Sequence, residues 1–165
     1  MCRIGFGSFV DKEVAPYISL VAADNCQKGG QGCPPPYSFQ HQMSLTQDAT
    51  LFTQRVRKAN ISGNIDNPEG GLDALLQVMV CGGRVGWRPG ARRVIVYTTD
   101  QSFHMAGDGR LGGLVRPNDG RCHLNSSGYY DQSTVQDYPS IGQINQVSST
   151  YFIFYLIPGN ILSSK

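Results

Sequence analysis

Residues 62–71 read SGNIDNPEGG and place Asn64, Asp66 and Glu69 within six positions. All three carry oxygen donors. Pro68 precedes the last of them, and Gly70 and Gly71 follow it. Oxygen donors with no His or Cys beside them suit a hard cation, Mg²⁺ or Ca²⁺, better than zinc. Asp100 closes the apolar, β-branched run VIVYTT at 94–99. In an open parallel sheet, ligands gather at the carboxyl ends of strands. A loop 62–71 at that edge would bring Asp66, Glu69 and Asp100 together, and crowded carboxylates are costly unless a cation compensates them. A plainer reading also fits: Asn67 as N-cap, Pro68 in the first turn and Glu69 at the positive end of a helix. It leaves Asn64 and Asp66 without a role. The stretch does not follow the EF-hand pattern.

The elements that would position these residues follow from pattern. Residues 3–10 (RIGFGSFV) read as a strand; Gly5-x-Gly7 is not completed to a dinucleotide fingerprint. Residues 24–36 (DNCQKGGQGCPPP) are loop chemistry, and a disulfide between Cys26 and Cys33 could close a small ring there. Residues 37–45 alternate as a strand, with His41 half-exposed at the break. Residues 48–58 are a polar helix with a thin stripe from Leu51, Phe52 and Val56. Residues 72–80 carry apolar side chains at 72, 75, 76, 79 and 80, the spacing of one helical face. The run at 94–99 reads as a strand buried on both faces of a parallel sheet. Tyr138-Pro139-Ser140 opens a helix near Ile141, and the tail holds one more strand. Strands alternating with helices predict an α/β fold.

The chain has 165 residues, enough for one domain with a core. Apolar residues make up 40% and charged residues 16%, which excludes charge-driven disorder. A net charge of +2 without a basic run gives no support for nucleic-acid or acidic-membrane binding. Besides Cys2 there are four internal cysteines, Cys26, Cys33, Cys81 and Cys122, and sequons at Asn60 and Asn125. Together these tilt toward an extracellular, oxidising compartment. The first ten residues lack a signal-peptide pattern, and the apolar run 151–157 is short of the ~20 residues a membrane span needs. The expectation is that the native N-terminus lies upstream.

RIGFGSFVDK, SGNIDNPEGGLDALLQ, the TTD at 98–100, PNDGRCHL and DYPSIGQ together resemble the I-like (von Willebrand A-type) domain of integrin beta subunits. The resemblance runs collinearly over residues 3–146. It implies a doubly wound, mostly parallel α/β sheet, here without its N-terminal strand and helix. It implies a central Mg²⁺ site, which Mn²⁺ can also occupy, using a D-x-S-x-S segment, Glu69 and Asp100. A neighbouring Ca²⁺ site would use Asp11, Asn64, Asp66, the Pro68 carbonyl and Glu69, which bridges the two. It implies disulfides Cys26–Cys33 and Cys81–Cys122, the first closing the ligand-specificity loop. It implies a cell-surface, single-pass receptor rather than an enzyme. The partner would be an integrin alpha subunit, and the ligands Asp- or Glu-bearing matrix or cell-surface proteins. This segment itself would make no membrane contact.

The sequence departs from the family in two places. D-x-S-x-S is absent, so the chain alone is expected to bind Mg²⁺ weakly and adhesive ligand not at all. Residues 1–147 read as a partial I-like domain, and residues 148–165, without a charge as far as Ser164, as an atypical, mis-joined tail. The competing class is a Mg²⁺-dependent α/β hydrolase or phosphotransferase. Against it, there is no nucleophile elbow or P-loop, and His104 and His123 have no evident partner in sequence.

Overall fold

The computed structural model describes residues 1–21 and 34–151, and the backbone of Ile153–Leu156. Strand β1 (Ile4–Phe9) pairs antiparallel with β2 (Phe39–Thr46), Ile4 opposite Thr46 and Phe9 opposite Phe39. Strand β3 (Arg93–Val96) pairs parallel with β4 (Ile153–Leu156), Arg93 opposite Ile153. The helices are α1 (Ala49–Lys58), α2 (Gly71–Val80), α3 (Gly82–Val85) and α4 (Ile141–Tyr151), with a 3₁₀ turn at Asp108–Gly112. Mixed helices and strands make this an α/β fold. Among the described residues the strands form two two-stranded sheets, one antiparallel and one parallel, rather than one continuous parallel sheet.

Between β1 and the stretch 94–100 lies a cleft of about 780 Å³. At one point its walls meet: the rings of Phe9 and Tyr97 stack with centroids 5.4 Å apart. The cleft corrects the reading of 94–99 as a strand buried on both faces. The strand ends at Val96, and Val94 and Val96 are 46% and 64% exposed. With β4 as its paired neighbour among the described residues, β3 leaves its valines lining the cleft.

Helix α2 forms the centre of the core. Leu72, Leu75, Leu76 and Met79 pack against Ile144 of α4, while Ala74 packs against Phe39 of β2 and Tyr130. Burial on more than one face is how an interior helix behaves. Its N-cap is Gly70, and no side chain caps it. Asn67 is therefore not the helix start that spacing suggested. The chain spends residues 65–68 in bends and Glu69 in a bridge to Phe103 before the first turn. Helix α1 follows its local signals: Asp48 accepts the Leu51 N–H at 2.8 Å, and Arg55, Arg57 and Lys58 occupy the last turn. A disulfide joins Cys81, just past α2, to Cys122 across 4.8 Å between Cα atoms. The expected Cys26–Cys33 bond lies outside the described residues, and Cys2 is a free, exposed thiol.

A buried ion pair locks the end of β1 onto α2. Lys12 Nζ lies 2.7 Å from Asp73 Oδ2, and both side chains are fully buried. Lys12 also donates to the Ser133 carbonyl at 3.1 Å and sits 4.5 Å from the centre of the Tyr138 ring. Burial pushes the Asp73 carboxyl up to about 6, with Lys12 pulling the other way. Breaking one side of such a pair leaves a charge stranded. Asp73→Ala is expected to destabilise the chain by about 3–5 kcal/mol, and Lys12→Met with Asp73→Leu to regain most of that. Urea unfolding reads both, and a loss below about 1 kcal/mol in Asp73→Ala would show that the pair does not anchor β1.

Candidate metal centre

The backbone fixes the site before any side chain does. Val10, just past β1, receives a bond from Gly70 N at 2.8 Å and donates to the Tyr37 carbonyl at 3.0 Å. The next residue, Asp11, is fully buried. Glu69 N donates to the Ser102 carbonyl at 3.0 Å, and the Glu69 carbonyl accepts from His104 N at 2.9 Å. That short parallel bridge carries residues 102–104 alongside the loop preceding α2. The loop therefore runs between the end of β1 and the segment following Asp100.

The side chains converge on this frame. Asp11 Oδ1 accepts from Tyr138 Oη at 2.6 Å and from Lys12 N at 2.8 Å. Its other oxygen lies 3.5 Å from Asn64 Nδ2 and 3.4 Å from His104 Nε2. Asn64 Nδ2 also donates to Asp66 Oδ1 at 3.1 Å, and His104 Nε2 lies 2.9 Å from Asp66 Oδ2. One ligand atom from each of Asp11, Asp66 and His104 falls within 4.8 Å of the others. The His104 ring stacks on Tyr138 at 4.8 Å and meets the edge of Tyr17 at 4.9 Å, so aromatic packing holds it in place.

Glu69 is the group that this network leaves unsatisfied. Its Oε2 is buried and has no hydrogen-bond partner. Burial, then the charges of Asp11, Asp66 and Asp100, push its carboxyl up to about 8. Asp66 is likewise raised by burial, against the pull of His104. Asp100 itself is exposed, and it borders the same cleft as Glu69. Pro68 is half-buried immediately before Glu69.

This donor set fits a hard cation. Four carboxylates share one neighbourhood, and one buried oxygen lacks any donor. Asn64 turns its amide nitrogen toward two carboxylates. Rotating that amide would turn its oxygen the same way.

Sequence reasoning missed His104. Its position four residues past Asp100 gave no periodic signal, and the reading assumed that no His stood near the oxygen donors. The bridge between Glu69 and Phe103 brings it there. His123 lies elsewhere, 3.0 Å from Asp119, and His41 pairs with Ser44. Both sequons, at Asn60 and Asn125, lie away from this cluster on a second cleft.

Comparison with known proteins follows the same residues. The family model described as "Integrin beta chain VWA domain" matches residues 1–157. Integrin beta-7 of Mus musculus is 52% identical over 147 residues, 87% of this chain and 18% of that protein. Integrin beta-PS of Drosophila melanogaster is 50% identical over 144 residues, covering 87% and 17%. Integrin beta pat-3 of Caenorhabditis elegans is 50% identical over 145 residues, covering 88% and 18%. The chain spans under a fifth of the length of these curated relatives.

The shifted groups set a pH dependence for the cation-free chain. Burial lowers the affinity of His104 for its proton, but Asp11 and Asp66 outweigh it and raise the group from 6.5 to about 9. Glu69 is raised from 4.5 to about 8. Each holds its proton more tightly folded than unfolded, so unfolding releases protons between pH 6.5 and 8. The melting temperature in EDTA is expected to fall across that window, and the fall to become shallower with millimolar Ca²⁺. A flat or rising profile in EDTA contradicts this assignment of the buried charges.

Proposed function

The chain belongs to the integrin beta family, and we propose that it is the metal-bearing part of a cell-adhesion receptor subunit that recognises acidic side chains through divalent cations. The observation that carries this reading is the buried, partnerless Glu69 Oε2 amid Asp11, Asp66 and Asp100. Asp11, Asn64, Asp66, the Pro68 carbonyl and Glu69 would hold Ca²⁺. Glu69 and Asp100 would contribute to an adjacent site for Mg²⁺, or Mn²⁺ in its place. A bound Mg²⁺ supplies a Lewis-acidic position for a ligand's Asp or Glu carboxylate.

The protein's own part is to hold these oxygens in place around the cation position. Tyr138 holds one Asp11 oxygen, and the bridge to Phe103 fixes the backbone of Glu69. The cleft between β1 and residues 94–100 has Glu69 and Asp100 among its lining residues. It supports a further strand lying there in the whole receptor, with D-x-S-x-S hydroxyls reaching the Mg²⁺ position. An integrin alpha subunit as partner, matrix or cell-surface proteins as ligands and a plasma-membrane location complete the reading. The Mg²⁺-dependent hydrolase alternative has no support. His104, the His that approaches the carboxylates, is engaged by Asp66 on one nitrogen and lies near Asp108 on the other.

Titration calorimetry on the chain tests the assignment. Ca²⁺ is expected to bind, and Asp66→Ala or Glu69→Ala to weaken it by at least about tenfold, about 1.4 kcal/mol. Mg²⁺ is expected to bind weakly. Tight, stoichiometric Mg²⁺ binding, or Ca²⁺ binding indifferent to both substitutions, overturns the assignment.

A further inference from the structure

The net charge of +2 conceals a separation of charge along the fold. Between Asp73 and Asp100 the sequence carries no acidic residue and four arginines, Arg84, Arg88, Arg92 and Arg93. Three elements set them at the edge opposite the carboxylates. β1 follows the exposed Arg3 and ends two residues before Asp11. α2 starts beside Glu69 and carries the chain about 15 Å along its axis before α3 and Arg84. β3 starts at Arg93 and leads toward Asp100. Ser44, on the part of β2 that pairs with the start of β1, donates to the Arg84 carbonyl at 2.7 Å and holds α3 at that edge.

Three of the four are held by carbonyls, and none has a counter-charge. Arg84 Nη2 donates to the Ser126 carbonyl at 3.2 Å and also to that of Asn125. Arg88 Nη2 donates to the Met1 carbonyl at 3.0 Å. Arg93 donates to the Tyr151 carbonyl at 3.0 Å and to the Arg88 carbonyl at 3.4 Å, which folds it back over the turn between them. Arg92 is exposed and makes no bond among the described residues. Among those residues no arginine stands in an ion pair; the close pairs belong to Lys12, His104 and His123. Asp48, just past β2, is spent on capping α1. A guanidinium bonded to a carbonyl keeps its full charge and has N–H donors to spare. Several held together raise the local positive potential.

We propose that this arginine edge binds a sulfated polysaccharide, on the side of the fold opposite the cation site. Sulfate groups repeat along such a chain, and a planar guanidinium pairs with two oxygens of one group at once. Side chains already tied to the backbone lose less freedom on binding. The inference rests on the cell-surface reading above. An outward-facing edge meets sulfated sugars, whereas anionic lipid belongs to the cytoplasmic leaflet. A polysaccharide bound here leaves the carboxylate end free, so it and an acidic protein ligand can engage the chain together.

The test is fluorescence anisotropy of a labelled, heparin-derived oligosaccharide with the full chain in EDTA, so that no cation contributes. Binding is expected at physiological salt, weakening steeply as salt rises because each contact releases counter-ions. Arg88→Gln with Arg92→Gln is expected to raise Kd at least about tenfold and to flatten the salt dependence. Arg92→Glu alone, which breaks no bond among the described residues, is expected to weaken binding several-fold. Arg55→Gln with Arg57→Gln removes the same charge from exposed positions in the last turn of α1. It is expected to change Kd by less than about twofold. A desulfated oligosaccharide is expected not to bind. No binding in EDTA, equal losses from the two double substitutions, or preference for phosphatidylserine-containing vesicles over the oligosaccharide overturns the proposal. None of these outcomes touches the cation reading, which the calorimetry decides separately.

Discussion

Negative charge gathered in one small volume governs this structure. Asp11 is fully buried, Asp66 and Glu69 are partly so, and Asp100 adds its field from the cleft. Like charges at such separations cannot all be ionised without a counter-charge. The chain supplies part of the answer itself. His104 reaches Asp66 and Asp11, and its affinity for a proton rises accordingly. Glu69 is left outside that arrangement, and burial and the neighbouring charges raise its affinity for a proton instead. A divalent cation is the other solution to the same problem, and it draws on the same carboxylate oxygens. Proton and cation would therefore compete for one set of atoms, and metal binding would be linked to stability through them.

Such a cluster persists only if the backbone around it cannot relax. Two consecutive residues at the end of β1 do opposite jobs: Asp11 faces the acidic cluster, while Lys12 meets Asp73 in the first turn of α2. The Lys12 and Asp11 side chains both touch Tyr138, one over its ring and the other at its hydroxyl. The loop bearing Glu69 is tied to Val10 on one side and to Ser102 and His104 on the other. An anchor of this kind holds position rather than adding much net stability, because desolvating the two ions costs nearly what their attraction returns.

What the sequence revealed followed the range of the forces involved. The start of α1 at Asp48 and the extent of α2 were legible, since capping and helical periodicity are local. The convergence of Asp66 with Asp11 came only through family resemblance, because nothing local joins residues 55 positions apart. His104 was missed for that reason: its place is set by a bridge to Glu69 across the fold. The run at 94–99 misled because β-branched composition reports strand propensity and says nothing of what covers the strand. Val96 is β-branched and in a strand, yet 64% exposed. Asn67 misled differently. It has the chemistry of an N-cap, but the bonds from Gly70 to Val10 and from Glu69 to Ser102 postpone the helix.

The two glycines after Glu69 show how tightly the site and the core are joined. A Cβ at Gly70 would lie 3.1 Å from both the Cα and a carboxylate oxygen of Asp11. A Cβ at Gly71 would collide with the Tyr97 ring, the same ring that stacks on Phe9 across the cleft. The loop thus passes between Asp11 and Tyr97 with no space for side chains, and α2 begins there without a capping side chain. Its first-turn Asp73 is already committed to Lys12. A backbone shift at Gly70 or Gly71 would press the start of α2 against Asp11 or Tyr97. The position of the acidic cluster and the seating of the core helix are therefore set by the same contacts, those that Gly70 and Gly71 make with Asp11 and Tyr97.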